Sequence, residues 1–354
     1  MKFKLYTEIA DERPVYITGN FNNWKAQNEQ FKMTKVDDSH FEYTFDNKDV
    51  LPTHIEYKYT RGSWREDELD TFGSKTSNRV IKKHIQEVVD FVPRWSRNGK
   101  SFDDKFLPII ETVNDNFEIP QLDKTRKVRI LLPYDYHQTT AHFPVLYLQD
   151  GQNLFDKHAP FGNWAIDEKL AVLSEYNKGN LIVVTIDHGE TERINEYSPR
   201  ENIKLGIGQD EGTKYLNFMC DTLKPYIDEH YRTKKEPEHT GVGGSSMGGL
   251  ISLYAGIQHA NVFGKLMIFS PSLWIYTKIY DDVLKDNAFA GTKIYLFAGG
   301  RESQNMLTNI HRLQHKINKS NSKVLLNLVI DPNGTHSEAR WSTEFPEAIE
   351  WLFF

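Results

Sequence analysis

The sequence predicts a small all-β sandwich followed by a larger α/β unit built on a mostly parallel sheet. Three observations carry that expectation. Up to about residue 92 the chain runs in short alternating stretches, PVYIT, HFEYTF and HIEYKYT, broken by Asn, Gly and Asp, which is the pattern of half-buried strands joined by turns. From Lys127 onward, apolar runs (VRILLP, FPVLYLQD, NLIVVTID, KLMIFS, TKIYLFA, KVLLNLVID) alternate with helix-like segments. Strands that are apolar throughout, with helices between them, imply a sheet covered on both faces. Between the two regions VPRWSRNGKSFDDK is polar and irregular. The expected division is a sandwich over 1–92, a linker over 93–105 and an α/β unit over 106–354.

The helices of the α/β unit follow in order: WAIDEKLAVLSEY, then YLNFMCDTLKPYIDEHY, the run after Ser246, NMLTNIHRLQHKI, and the tail EFPEAIEWLF. Composition narrows the function. A net charge of −6 leaves no broad basic surface, so nucleic acid is not an expected partner. Cys220 is the single cysteine, which excludes an intrachain disulfide and fits a reducing compartment. The start MKFKLYTEIADERP lacks the apolar core of a signal peptide, and no apolar run is long enough to span a bilayer. A cytoplasmic protein with no membrane partner is expected.

The chemistry is concentrated in GVGGSSMGGLISLY, residues 241–254. A G-x-S-x-G elbow turns a strand sharply into a helix and holds its serine in a strained conformation, with glycines where β-carbons would collide. Only Gly244-Ser245-Ser246-Met247-Gly248 fits the frame, which makes Ser246 the candidate nucleophile. The α/β-hydrolase order then places an acid after a later strand and a histidine after the last one. TKIYLFA ends in GGRES, giving Glu302, and KVLLNLVID ends in PNGTHSEARW, giving His336. In such a triad the histidine takes the serine proton and returns it to the leaving alcohol, while the carboxylate holds the imidazole tautomer. Asp331, five residues before the histidine, is the rival acid. Acyl transfer also needs donors for the developing oxyanion. The amide of Met247 is one candidate, and that of Gln152, after the break at Asp150-Gly151, is the other.

The stretches LYLQDGQNLFD, IDHGETERINEYSP, YLNFMCDTLKPYIDEHYRT, GGSSMGGLISLYAG, FSPSLW and GTHSEARW resemble those of the esterase D-like family, from about Ile109 to the C-terminus. That family contains feruloyl and acetyl xylan esterases, siderophore esterases and mycolyltransferases. The resemblance implies an α/β-hydrolase whose serine, acid and histidine fall on Ser246, Glu302 and His336 and whose oxyanion amides fall on Gln152 and Met247. It also puts Arg193, Glu196 and Tyr197 in a motif near the pocket, and Trp164, Trp274 and Trp341 in motifs that wall it.

The N-terminal stretches GNFNNWK, IEYKYTRGSW and SNRVI are similar to the glycogen- and starch-binding modules of carbohydrate-binding family 48, an immunoglobulin-like sandwich. That resemblance puts sugar contacts on Trp24, Lys58, Trp64 and Asn78, where indole faces would stack on pyranose rings and the polar groups would bind hydroxyls. Such sandwiches also serve as spacers or dimer contacts, which leaves a homodimer open. No glycine-rich phosphate loop is present, and neither metal nor organic cofactor is expected. The expected protein is a serine carboxylesterase acting on acetyl or feruloyl groups carried by carbohydrate. A cytosolic trilactone siderophore esterase is the alternative, and a non-catalytic glycan-binding protein on a hydrolase scaffold is the alternative of another class. The polar segment 188–212 is long for a connection and is expected to form a flap over the pocket.

Overall fold

The alternating stretches at the N-terminus resolve into strands whose apolar residues point to one side. In the computed structural model, which describes residues 1–354 apart from 9–10, 48–50, 200–210, 286–287, 290 and 321–322, the chain divides into two units, Met1–Phe106 and Leu107–Phe354. Strands of the first unit are β1 (Lys2–Thr7), β2 (Tyr16–Gly19), β3 (Thr34–Lys35), β4 (His40–Thr44), β5 (His54–Thr60), β6 (Glu68–Leu69), β7 (Arg79–Lys82), β8 (Glu87–Val92) and β9 (Arg94–Trp95). They form a sheet in the order β3-β4-β1-β8, a second in the order β2-β5-β7, and the pair β6-β9. Phe3, Leu5 and Phe41 from the first sheet and Ile17, Ile55 and Tyr57 from the second are buried in one core. Each such side chain contributes about 1.5–3 kcal/mol by leaving water.

The stretch expected as a linker differs from that expectation. Arg94 and Trp95 pair antiparallel with Leu69 and Glu68, and Ser96 donates its amide to the Asp67 carbonyl. The reason is Trp95. Its indole is buried, and the Arg61 guanidinium lies 4.5 Å from its centroid. A large amphipathic ring is worth more packed against the sandwich than exposed in a tether.

In the second unit the strands are β10 (Ile109–Ile119), β11 (Lys124–Leu132), β12 (Val145–Gln149), β13 (Ile182–Ile186), β14 (Thr240–Ser245), β15 (Lys265–Phe269), β16 (Lys293–Gly299) and β17 (Leu325–Asp331). Their order is β10-β11-β13-β12-β14-β15-β16-β17. The first two ladders, β10 with β11 and β11 with β13, are antiparallel; those from β13 to β17 are parallel. This is the α/β-hydrolase sheet. All five residues of β12 and all five of β13 are buried, as central strands covered on both faces must be.

Helices α1 (Ile166–Ser174), α2 (Arg193–Glu196), α3 (Glu211–Phe218), α4 (Lys224–His230), α5 (Met247–Gln258), α6 (Ile279–Asp282), α7 (Met306–Lys319) and α8 (Glu338–Phe353) complete the unit. A π-helical turn, Met219–Leu223, joins α3 to α4. Helix α5 is buried from Met247 to Ile257. Helix α8 begins six residues before the expected tail segment and continues through Pro346. Within the polar segment 188–212, residues 200–210 lie outside the described residues. No described helix is long and apolar enough to cross a membrane.

Candidate active site

Strand β14 delivers the chain to a turn that most side chains could not make. Ser246 has φ 55° and ψ −117°, and α5 starts at the next residue. For a non-glycine residue this backbone is strained and persists only where its surroundings enforce it. Here the Ser246 amide donates to the Phe269 carbonyl at 2.9 Å, and its own carbonyl accepts from the amides of Leu250 and Ser272, both at 3.0 Å. Gly244 and Gly248 let the two arms of the elbow close. A β-carbon on Gly244 would lie 3.0 Å from the Gly248 carbonyl carbon, and one on Gly248 would lie 2.9 Å from Asp150 Oδ2.

The candidate acid and histidine follow β16 and β17. His336 Nδ1 lies 2.8 Å from Glu302 Oε2, and the Glu302 side chain is almost wholly buried. The other carboxylate oxygen, Oε1, accepts from Ser270 Oγ at 2.6 Å and from the Gly299 amide at 2.5 Å. Asp331, the rival, is engaged elsewhere: it accepts from Arg340 Nε at 2.7 Å and from the Asn333 amide at 2.9 Å. The loops carrying Glu302 and His336 are joined backbone to backbone, with the Gly300 amide donating to Asp331 O at 2.8 Å and the Arg301 amide to Gly334 O at 2.9 Å. A β-carbon on Gly299 would run into the Gly334 carbonyl, so this approach requires glycine.

Ser246 and His336 both line a cavity of about 500 Å³. No hydrogen bond joins them among the described residues; instead Ser246 Oγ and Ser272 Oγ are 3.1 Å apart. Catalytic hydrogen bonds are often long before substrate binds. Among the described residues, the amides of Gln152 and Met247 have no acceptor, the former in the Gly151–Asn153 turn and the latter at the head of α5. Asp150, just before that turn, takes φ 60°, which breaks the line of β12. Neither Gln152 nor Met247 is among the residues that line the cavity; the Gln152 side-chain amide is bonded to the His188 backbone, accepting at 2.9 Å and donating at 3.4 Å.

The motif residues separate by role. Arg193 lines the cavity and grips Asp150 with two hydrogen bonds, Nε to Oδ1 at 2.6 Å and a terminal nitrogen to Oδ2 at 2.8 Å. Burial works against its charge, but the Asp150 carboxylate more than compensates and holds the guanidinium above its usual range. Glu196 and Tyr197, expected beside the pocket, are fully buried and absent from its lining. Glu196 binds Lys124 at 3.0 Å and Arg126, and the Tyr197 hydroxyl accepts from the Asp150 amide at 3.4 Å. They anchor the segment that carries Arg193, because a buried carboxylate is tolerated only with cationic partners.

The tryptophans separate in the same way. Trp164 and Trp341 line the cavity, whereas Trp274 is 60% exposed and outside it. Glu338, Glu190, His188 and Phe161 also line the cavity without having been named as site residues from the sequence, although His188 and Glu190 fall in the segment expected to form a flap. Glu338 follows His336 by two residues at the head of α8, and that proximity was the available signal. Burial pushes its carboxyl above the ordinary glutamate range, opposed by the pull of His336.

In the first unit Trp24 is half-buried and Trp64 is 40% exposed, with ring centroids 6.2 Å apart and planes tilted by 43°. Lys58 is buried and donates to Thr76 O at 2.5 Å, while the exposed Asn78 amide donates to Glu56 Oε2 at 3.3 Å.

The uncharacterized protein YbbA of Bacillus subtilis (strain 168) is 25% identical over 241 residues, covering 64% of this chain and 92% of that protein. The enterobactin esterase FES of Shigella flexneri, solved with enterobactin, superposes with a TM-score of 0.58 at 16% identity, over 99% of this chain and 92% of that one. The ferulic acid esterase of Anaeromyces mucronatus, solved with ferulic acid, has a TM-score of 0.51 at 17% identity, over 70% of this chain and 94% of that one. Residues 119–352 match the model of the family described as "Putative esterase", about two-thirds of the chain. The chain therefore belongs to that esterase family, and with its α/β-hydrolase sheet it is a carboxylic ester hydrolase.

Proposed function

We propose that the protein hydrolyses acyl esters through an acyl-enzyme on Ser246, and that its substrates are acetyl or feruloyl esters of carbohydrate. The observation that carries the mechanism is the His336–Glu302 pair at 2.8 Å in the same cavity as a serine with φ 55°. His336 Nε2 takes the Ser246 proton as Oγ attacks the carbonyl carbon. The oxyanion is received by the amides of Met247 and Gln152, which have no acceptor of their own. The protonated imidazole then gives its proton to the leaving alcohol, and water activated by the same nitrogen releases the acid.

Charge supports the substrate reading. Arg193 is the one lysine or arginine among the described lining residues, and Asp150 already neutralises it, while Glu190 and Glu338 face the cavity unopposed by a second cation. An uncharged sugar ester meets no penalty there, whereas a catecholate iron complex brings negative charge against two carboxylates. The siderophore reading has one observation of its own, the match of enterobactin esterase FES to both units of this chain. A substrate panel separates the two. Acetylated xylo-oligosaccharides or feruloylated arabinose are expected to give a kcat/KM at least about tenfold above that for linear or cyclic trilactones, about 1.4 kcal/mol in transition-state binding. Trilactone cleavage with inert sugar esters would reverse the assignment.

The first unit we read as a glycan platform made by the Trp24 and Trp64 indoles, both reachable by solvent. Lys58, with its ammonium held by Thr76, contributes to the fold of that face rather than to a sugar contact. Calorimetric titration with maltoheptaose is expected to show binding that Trp64→Ala weakens by about tenfold, the scale of one lost aromatic contact. Unchanged binding in Trp64→Ala, or no binding to the intact protein, would reject the platform.

A further inference from the structure

We propose that Ser270 and Trp341 are positioning residues, joined with Glu302 in a hydrogen-bonded relay that decides which carboxylate oxygen faces His336. The proposal rests on the reading of Ser246, His336 and Glu302 as the catalytic group and goes beyond it. Trp341 Nε1 donates to Ser270 Oγ at 3.0 Å, Ser270 Oγ donates to Glu302 Oε1 at 2.6 Å, and Glu302 Oε2 accepts from His336 Nδ1 at 2.8 Å. Ser270 is wholly buried and Trp341 nearly so.

The direction of each bond is forced. An indole nitrogen only donates, so the Ser270 oxygen must accept on that side and turn its hydrogen the other way. That hydrogen meets Oε1, which the Gly299 amide also holds at 2.5 Å. With Oε1 doubly occupied, Oε2 is left for the imidazole, and the carboxylate cannot rotate to present the wrong lone pair. Trp341, Ser270 and the Glu302 carboxylate are out of water, where an unpaired polar group is costly and a satisfied network is correspondingly rigid; only the His336 end is open to solvent. The same indole stands edge-on to the His336 ring, with centroids 4.8 Å apart and planes at 83°, so it bears on the base as well as on the acid behind it.

The fold draws these groups together from two strand ends and a helix. Ser270 follows β15 with φ 45°, Glu302 follows β16, and Trp341 lies in the first turn of α8, where its amide donates to Ser337 O at 3.1 Å. Ser270 and Ser272 flank Pro271 in one short turn, and Ser272 meets the Ser246 hydroxyl at 3.1 Å. One turn thus touches both ends of the catalytic group.

The test uses the full chain with Ser270→Ala, Trp341→Phe, the double variant, and Ser246→Ala as the control. The charged groups around His336 on the other elements, Glu338, Glu190 and the Asp150–Arg193 pair, remain in all of them. Each single variant is expected to lower kcat by about tenfold, the scale of one buried hydrogen bond, with KM within about twofold. The double variant should be no worse than Ser270→Ala alone, because the indole N–H acts only through that hydroxyl. The acid limb of kcat against pH should move upward in Ser270→Ala, since a carboxylate that loses a donor pulls harder on the imidazolium, and the downfield Nδ1 proton resonance of His336 should shift with it.

Independent, multiplicative losses, or an unmoved limb and resonance beside an inactive Ser246→Ala, would overturn the relay and leave the triad standing. Full turnover by Ser246→Ala would remove both. Should Ser270→Ala fail to fold, Trp341→Phe, which deletes the first donor and keeps an aromatic ring, gives the same decision.

Discussion

Ser246→Ala is expected to lower kcat/KM on nitrophenyl acetate by at least about 10⁴-fold, with the melting temperature unchanged or raised. The activity loss follows from the place of Ser246 at the tip of the elbow, in the cavity that His336 also lines. Ser272 Oγ lies 3.1 Å from Ser246 Oγ, but its amide is bound to the Ser246 carbonyl and it does not line the cavity. Residual turnover would come from the oxyanion amides and from His336 acting on water. The melting temperature is not expected to fall because alanine keeps the β-carbon that the turn already tolerates at φ 55° and every backbone hydrogen bond around it. Steady-state kinetics with active-site titration, alongside thermal melts, check both halves. Turnover near the wild-type rate would exclude Ser246 as nucleophile.

Glu302→Gln is expected to cost about 10⁴-fold in kcat, and to be at least as damaging as Glu302→Ala. The carboxylate accepts at both oxygens: from Ser270 and Gly299 at Oε1, from His336 at Oε2. A glutamine has one acceptor and one donor. Two donors already point at the Oε1 position, so the amide oxygen settles there and its NH₂ is turned towards His336. The imidazole must then accept at Nδ1 and carry its proton on Nε2, which is the tautomer that cannot deprotonate Ser246. Alanine leaves room for water, which can accept from Nδ1 and restore the useful tautomer in part. Kinetics of the two variants across pH distinguish these cases; near wild-type activity in Glu302→Gln would reject the acid's role.

Much of this arrangement was legible in the chain before any coordinates. The apolar runs that became β12, β13, β15 and β16 are buried along their length, so composition alone marked them. Strand β14 was readable only through its glycines, since TGVGGS has little β-propensity and is a strand because close backbone approach is needed there. Strand β10 was missed. It is an edge strand with polar, exposed residues through its middle and two register shifts, so neither alternation nor an apolar run survives in IIETVNDNFEI.

At the site, motif order singled out Ser246, Glu302 and His336; the structure pairs His336 with Glu302 and puts His336 and Ser246 on one cavity. Motif order could not say that Glu196 and Tyr197 are buried supports, or that Trp274 faces solvent, because both outcomes depend on side-chain packing with residues far apart in sequence. Residues 93–105 looked like a tether because their polarity is real, and only the partner of Trp95 shows why they fold back.

The joined loops after β16 and β17 bear on how this chemistry could be moved to another scaffold. Since the Gly299–Arg301 backbone is laced to Asp331 and Gly334, the carboxylate and the imidazole travel as one prefabricated cassette, whereas the nucleophile belongs to a different piece of the molecule. A graft that copies the histidine loop alone would import a base with no fixed orientation. One that copies both loops with their glycines would bring a working pair, leaving the recipient to supply only a sharp turn with a hydroxyl at its tip.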